Sequence, residues 1–208
     1  MSEIKERPIL FSGPMVRAIL EGRKTVTRRV IKPAPQMVTD RAAVTWEGDP
    51  AVLLRLLEHN GRKCPYGQPG DRLWVREAWA ADAQVNTVAP RDLSKGEPIL
   101  YPADEAVRQT GCAMITPGVT RPSIHMPRWV SRILLEVTAV RVERLQDITR
   151  SDIRAEGMVC PPELRSDDIS PNYRDWYPAA FRELWNSTGG DWDANPWVWV
   201  VEFKRVTP

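Results

Sequence analysis

The sequence predicts an α+β protein, because strand-like and helix-like patterns alternate along the chain. Strand patterns occupy residues 72–77, 132–145 and 197–203. Helical patterns occupy residues 12–22, 149–157 and 176–185. With 208 residues and 42% hydrophobic content, the chain can bury one substantial core. We therefore expect a single domain over residues 1–208.

The first helix has signals at both ends. Residues 8–11 are expected to form a short strand, after which Ser12 can cap a helix and Pro14 suits its first turn. Apolar side chains then recur on one face, and Gly22 supplies the left-handed conformation that closes a helix. Residues 25–31 are rich in β-branched side chains and predict a strand. The residues between these elements lie at a helix-to-strand corner.

That corner holds a basic run, residues 22–29, with four basic side chains in eight positions. One interpretation is a solvated basic face with ordinary strand threonines. In the other, Lys24 assists a hydroxyl nucleophile while arginines hold phosphate or a base carbonyl. The candidate binding arginines are Arg23, Arg28 and Arg29.

Two proline-rich stretches, at about 32–69 and 80–128, are expected to be insertions that select the substrate. Between them, the strand at 72–77 places Trp74 and Arg76 on one face, and Arg128 with Trp129 ends the second insertion. The tryptophans are expected either to pack in the core or to stack on a base, since every base has a π-face. These four residues complete the candidate binding set.

A long strand at 132–145, with a possible bend at 138–139, leads to a helix in which Thr149 and Asp152 form a capping pattern. Gly157 is expected to end this helix, so Glu156 takes its last position. A carboxylate there opposes the helix dipole by about 0.3–1 kcal/mol. We therefore expect Glu156 to have a cationic partner, Lys24 or an arginine of the basic run. The alternative is a surface glutamate paired with Arg154 or water.

The C-terminal part continues this order. A helix at 176–185 presents apolar and aromatic residues on one face, and residues 197–203 read as a buried final strand. We expect the helix to cover the sheet.

Composition narrows the functional classes. A net charge of +2 means that attraction for nucleic acid must come from local patches. Three widely spaced cysteines indicate no disulfide framework, and with two histidines and no Cys-x-x-Cys we expect no metal site and no cofactor. No signal sequence or run of membrane-spanning length is apparent, so we expect a cytoplasmic protein without membrane partners.

The basic run, Gly-Arg-Lys-Thr-x-Thr-x-Arg after a short amphipathic helix, resembles the ASCH domain, a PUA-like β-barrel family associated with RNA and modified bases. The Gly70-Asp71 turn before a strand is also similar to such barrels. The resemblance covers about half the chain and implies a PUA-like β-barrel with flanking short helices and long loop insertions. The length resembles that of larger ASCH proteins in phage and prophage sequences.

The wording of the run is most similar to bacterial N4-acetylcytidine amidohydrolases. That resemblance implies Lys24 as proton acceptor, Thr27 as nucleophile and Glu156 as proton donor, acting on an N4-acylated cytosine in a nucleoside, RNA or DNA. Strict strand alternation from Lys24 would put Thr27 on the opposite face, with Thr25 as the fallback. Two other functions stay open: a non-catalytic RNA or modified-base binding module, and a metal-independent ribonuclease.

Overall fold

The computed structural model describes residues 4–38, 43–109, 111–161 and 171–207, and the side chains of these residues apart from 38, 43 and 171–175. Within these ranges the strands are β1 (Glu6–Leu10), β2 (Val26–Val30), β3 (Gln36–Val38), β4 (Ala43–Thr45), β5 (Arg72–Arg76), β6 (Ile99–Tyr101), β7 (Ala106–Arg108), β8 (Leu134–Arg144) and β9 (Trp197–Val206). The α-helices are α1 (Gly13–Leu20), α2 (Pro50–His59), α3 (Arg150–Ala155) and α4 (Pro171–Ser187). None of the helices described is long and apolar enough to cross a membrane.

Five strands form the main sheet in the order β1-β5-β8-β9-β2. β1 runs parallel to β5, whereas β5 with β8 and β2 with β9 are antiparallel. The α+β prediction is confirmed. The closed barrel is not, because β1 and β2 end the sheet and no ladder joins them within the described ranges. Two hairpins, β3-β4 and β6-β7, form separate two-stranded sheets.

By packing, the chain divides into two compact units. Unit 1 comprises Met1–Gly22, Gly70–Val137 and Lys204–Pro208, and unit 2 comprises Arg23–Pro69 and Thr138–Phe203. The long strands β8 and β9 contribute residues to each unit. The predicted single domain stays a prediction.

In unit 1, α1 begins after Ser12 with Pro14 in its first turn, and the chain leaves it through Gly22 at φ 75°. A half-buried ion network also lies in this unit, centred on Arg132. Its guanidinium binds Glu77 (Nε to Oε1, 2.9 Å) and Asp104 (Nη1 to Oδ2, 2.9 Å). The Tyr101 ring lies 4.0 Å from the guanidinium carbon. We call this set the Arg132 network.

Unit 2 is built on the antiparallel pair β2-β9, both faces of which are buried. On one face Val26, Val198 and Val200 pack with Ile153 of α3 and Phe181 of α4. Fully burying an aliphatic side chain of this size contributes about 1.5–3 kcal/mol, so this cluster holds both helices on the sheet. The position of α3 matters most, because it carries Glu156 at its end.

Candidate active site

The basic run caps the C-terminal end of α3. The last carbonyl groups of a helix lack intrahelical donors, and cations near them complement the helix dipole. Three consecutive carbonyls accept from three consecutive residues: Ala155 O from Thr25 N (2.8 Å), Glu156 O from Lys24 Nζ (3.0 Å) and Gly157 O from Arg23 Nη1 (2.5 Å). The predicted end of the helix is also present, with Gly157 at φ 93°. The corner between α1 and β2 is thereby fastened to the residue that the sequence predicted as proton donor.

Lys24 is buried in this corner, with a side chain that is 0% exposed. Its ammonium donates to Glu156 Oε2 at 2.5 Å and to the carbonyl oxygen of Val26 at 2.8 Å, besides the carbonyl of Glu156. Burial lowers the pKa of Lys24 below its ordinary value of 10.5, and Glu156 acts in the opposite direction. The charges of Arg29 and Arg28 add to the lowering. Lys24 is therefore closer to its neutral, basic form than an exposed lysine.

Glu156 holds the cationic partners that its place at the helix end led us to expect. The residue is 7% exposed, and its two carboxylate oxygens are divided between two cations. Oε2 faces Lys24, whereas Oε1 accepts from Arg28 Nη1 at 3.1 Å. The carboxylate is thus fixed in a buried setting, where its charge is matched by two neighbours.

Arg28 was predicted to bind phosphate or a base, but its guanidinium is 0% exposed and occupied by carboxylates of unit 2. Nε donates to Glu143 Oε1 at 2.7 Å, and Nη2 lies 3.3 Å from Asp152 Oδ1. Nη2 also lies 2.7 Å from the same Glu143 oxygen, without an aligned hydrogen bond to a described residue. We call Lys24, Arg28, Glu143, Asp152 and Glu156 the Lys24 network.

Glu143 was not predicted as a site residue, and Asp152 was predicted only as part of the helix cap. Asp152 does form a capping box with Thr149. Burial raises the pKa of Asp152, but the hydrogen bond from Thr149 and the charge of Arg28 hold it below its ordinary value. The sequence held one signal for this part of the network. Residues 141 and 143 are charged, although the strand face that they share is otherwise apolar. Arg141 extends the network toward solvent, with contacts to Asp152 (2.9 Å) and Glu202.

Thr27 is 1% exposed and lies in β2 opposite Val201. Its neighbour Arg28 lies opposite Val200, which belongs to the apolar face covered by α3 and α4. Because strand side chains alternate, Thr27 points to the other face of the sheet. Thr25, the fallback, is exposed. The structure brings Lys24, Glu156 and Arg28 together, and a nucleophilic role for Thr27 stays a prediction.

The remaining binding candidates fall in both units. Arg29, in unit 2, is half-buried and donates Nη1 to the carbonyl of Arg28 at 3.1 Å. In unit 1, Trp74 has two guanidinium carbons near its ring centroid, those of Arg76 at 5.5 Å and Arg128 at 5.9 Å.

These unit 1 arginines are also anchored. Arg76 donates to the carbonyl of Ile124, and Arg128 Nε donates to Glu6 at 3.0 Å. Trp129 lies elsewhere in the same unit under Arg108, whose guanidinium carbon is 5.7 Å from the ring. The predicted binding residues of unit 1 therefore take part in three arginine–tryptophan contacts, two at Trp74 and one at Trp129.

Comparison with known proteins does not identify a family for this chain. No family model matches the chain, and no curated protein matches it. Among solved structures, protein EF3133 from Enterococcus faecalis V583, of the family DUF984, is similar over 100% of this chain and 78% of its own. The two share 10% sequence identity with a TM-score of 0.40, and we base no conclusion on that likeness.

Proposed function

We propose that this protein hydrolyses the N4-acyl amide of a modified cytosine, such as N4-acetylcytidine, and that it is an ASCH-type member of the PUA-like proteins. The observation that carries the proposal is the 2.5 Å contact between Lys24 Nζ and Glu156 Oε2, both buried. These are the two residues to which the sequence resemblance gives the acid–base roles. Perturbed lysines paired with a specific carboxylate are typical of functional sites.

The Lys24–Glu156 pair suits amide hydrolysis because one proton transfer between the two residues gives both the base and the acid of the reaction. If the shared proton moves from Nζ to Oε2, the ion pair becomes a neutral amine and a neutral carboxylic acid. Burial of Lys24 disfavours its charged form and so favours this transfer. The amine is then the base and the carboxylic acid is the proton donor that amide hydrolysis needs.

The proposed reaction proceeds through an acyl-enzyme. Because Thr27 points to the other face of β2 from Arg28, Lys24 takes the hydroxyl proton of Thr27 through one water as the Thr27 oxygen bonds to the acyl carbon. The bond from that carbon to N4 then breaks, and Glu156 gives its proton to the departing amine. Water attacks the resulting ester, which releases the carboxylic acid and restores the Thr27 hydroxyl. The net reaction adds one water across the amide bond.

A reader of RNA or modified bases is the second candidate, and the observation that favours it is the half-buried Trp74 with Arg76 and Arg128 at its ring. Stacking of a base on an aromatic side chain contributes about 1–3 kcal/mol. In that case Trp74→Ala weakens binding of N4-acetylated RNA, whereas Thr27→Val leaves it unchanged. Affinity measured by fluorescence anisotropy at two salt concentrations tests this candidate.

Chromatography of cytidine released from N4-acetylcytidine tests the hydrolase. We expect turnover by the wild type and a loss of about 10²–10⁴-fold in Lys24→Ala and Glu156→Gln, the usual contribution of a general acid or base. Thr27→Val should also lose turnover, while Thr25→Val, which alters the exposed threonine two residues earlier, should keep it. Circular dichroism checks that each variant is folded. Absence of turnover by folded wild type on nucleoside and on acetylated RNA would contradict the proposal.

A further inference from the structure

Arg28 occupies a variable position of the run Gly-Arg-Lys-Thr-x-Thr-x-Arg, so the resemblance assigns it no role. We propose that Arg28 is a positioning residue: its guanidinium holds Oε1 of Glu156 so that Oε2 faces the ammonium of Lys24. The inference rests on the proposed function for its catalytic consequence, and on the contacts of unit 2 for its geometry.

The first support is that the two oxygens of the Glu156 carboxylate bind different cations. A carboxylate can rotate about its last torsion, because that torsion has a broad distribution. With Arg28 Nη1 at 3.1 Å from Oε1 and Lys24 Nζ at 2.5 Å from Oε2, rotation would break both contacts at once. Arg28 therefore selects the orientation in which Lys24 and Glu156 share a proton.

The second support is that Arg28 is itself fixed. Glu143 of β8 lies against Nε, and Asp152 of α3 lies against Nη2. An exposed arginine would lose side-chain entropy on ordering, but here burial and two carboxylates on different elements already hold the guanidinium. A fixed cation can orient Glu156 without moving when a substrate enters.

The third support is the effect of the Arg28 charge on the pKa of Lys24. The charged groups that act on Lys24 are its partner Glu156, at the end of α3, and the nearby Arg28 and Arg29; Glu143 of β8 and Asp152 of α3 contact Arg28. Arg28 is one of the two cations that lower the pKa of Lys24 beyond the effect of burial. Without Arg28, the Glu156 carboxylate would lose one of its two cations and the positive charge of Arg28 would no longer oppose protonation of Lys24, so the pKa of Lys24 would rise. Arg28 thus affects both the direction of the shared proton and the basicity of the amine.

The test compares Arg28→Met and Arg28→Lys with Arg132→Met, a matched loss of an arginine that is paired with two carboxylates in unit 1. NMR titration of the Lys24 side-chain carbon Cε follows its protonation without any need for turnover. We expect Lys24 in Arg28→Met to titrate at higher pH than in the wild type, and Arg132→Met to leave the titration unchanged. Arg28→Lys keeps the positive charge but lacks the forked guanidinium. Lys24 in this variant should therefore titrate near its wild-type pH.

Hydrolysis of N4-acetylcytidine as a function of pH is the second readout. We expect the rising limb of the rate profile to move to higher pH in Arg28→Met, with kcat lowered by about 10²-fold, as for other small misplacements of catalytic groups, and KM little changed. Arg28→Lys should recover part of kcat. If Arg28→Met does not fold, an unchanged kcat in folded Arg28→Lys overturns the inference, because the point charge cannot replace the fork.

The outcomes separate the two proposals. An unchanged Lys24 titration in folded Arg28→Met overturns the positioning role, whatever the activity. A shifted titration together with an inactive wild type overturns the hydrolase and leaves the positioning of the pair established.

Discussion

Each unit contains an arginine held by carboxylates, but the two arginines are bonded differently. Arg132 in unit 1 forms two forked pairs: Nε and Nη2 bind the two oxygens of Glu77, and Nη1 and Nη2 bind the two oxygens of Asp104. Its fork geometry is satisfied on two edges, and a tyrosine ring covers the guanidinium. Such bidentate pairs are the strongest charge-assisted hydrogen bonds.

Arg28 in unit 2 is arranged less regularly. Its three nitrogens are spread over three carboxylates, and Nη2 has close contacts but no aligned hydrogen bond among the described residues. A buried donor left in that state costs about 1–3 kcal/mol. The Lys24 network also contains a buried amine whose charge is disfavoured by its surroundings, which the Arg132 network lacks.

These two arrangements distinguish a structural ion network from a reactive one. A network that only stabilises packing can be built from a cation that never gives up its proton, as Arg132 is. A network that moves a proton needs a group that can gain or lose one near the working pH, such as a lysine whose pKa is lowered. By this criterion the Arg132 network is structural and the Lys24 network is the candidate for chemistry.

Loss of Arg132 gives the largest expected effect on stability. Arg132→Met leaves the carboxylate of Glu77, which is 1% exposed, without its partner, and breaking such a pair costs about 3–5 kcal/mol. Urea unfolding measures this change. Hydrolysis per folded molecule should stay at the wild-type level, and a drop in that specific activity would contradict a purely structural role.

The second largest effect is expected in the pH dependence of stability, which should differ between variants of the Lys24 network and of the Arg132 network. The folded pKa of Lys24 lies below its ordinary 10.5, so between these values the unfolded chain binds more protons than the folded one. Stability should therefore rise with pH in that window, by up to about 1.4 kcal/mol per pH unit, and the penalty is fully present below the folded pKa. Urea unfolding at each pH gives the free energy of unfolding of wild type and of Lys24→Met. The difference between the two isolates the contribution of Lys24.

Arg132→Met is the control for that measurement. Because arginine does not titrate in this range, the variant should keep the wild-type slope. Equal slopes in wild type and Lys24→Met would mean that burial does not perturb Lys24.

A smaller effect is expected at the cap of α3. Thr149→Ala removes the hydroxyl that accepts from Asp152 N at 3.2 Å, and loss of such a cap costs about 0.5–2 kcal/mol. Thermal unfolding measures the loss. Ser12→Ala is the matched control, since Ser12 begins α1 without a side-chain capping bond, so its stability should change less. Equal losses would mean that the capping box does not fix α3.

Local chemistry explains what could be predicted from the sequence. Gly22, Gly157 and the Thr149–Asp152 box mark the ends of helices through their own backbone geometry, and each lies where it was expected. The expectation of a cationic partner for Glu156, either Lys24 or an arginine of the basic run, followed from the cost of a carboxylate at a helix end. These inferences need only residues close in sequence and one physical rule.

Contacts between distant segments could not be predicted in the same way. Arg28 meets Glu143 because β2, β9 and β8 are neighbours in one sheet, and that order is not encoded in any local pattern. A basic run is usually solvent-exposed, so the burial of Arg28 could not be inferred from its charge. Sheet closure likewise depends on pairing of remote strands, which is why the predicted barrel and the observed sheet order differ.

The stability and activity of Lys24→Met/Glu156→Met test most directly whether the Lys24–Glu156 pair exists for chemistry and not for folding. Replacing both members of a buried pair by apolar residues is often neutral or stabilising by about 1–4 kcal/mol, whereas removing one costs about 3–5 kcal/mol. We predict a folded double variant within about 1 kcal/mol of wild type, or more stable, with hydrolysis of N4-acetylcytidine abolished. A double variant as unstable as Lys24→Met alone, or one that keeps its hydrolysis, would contradict the account.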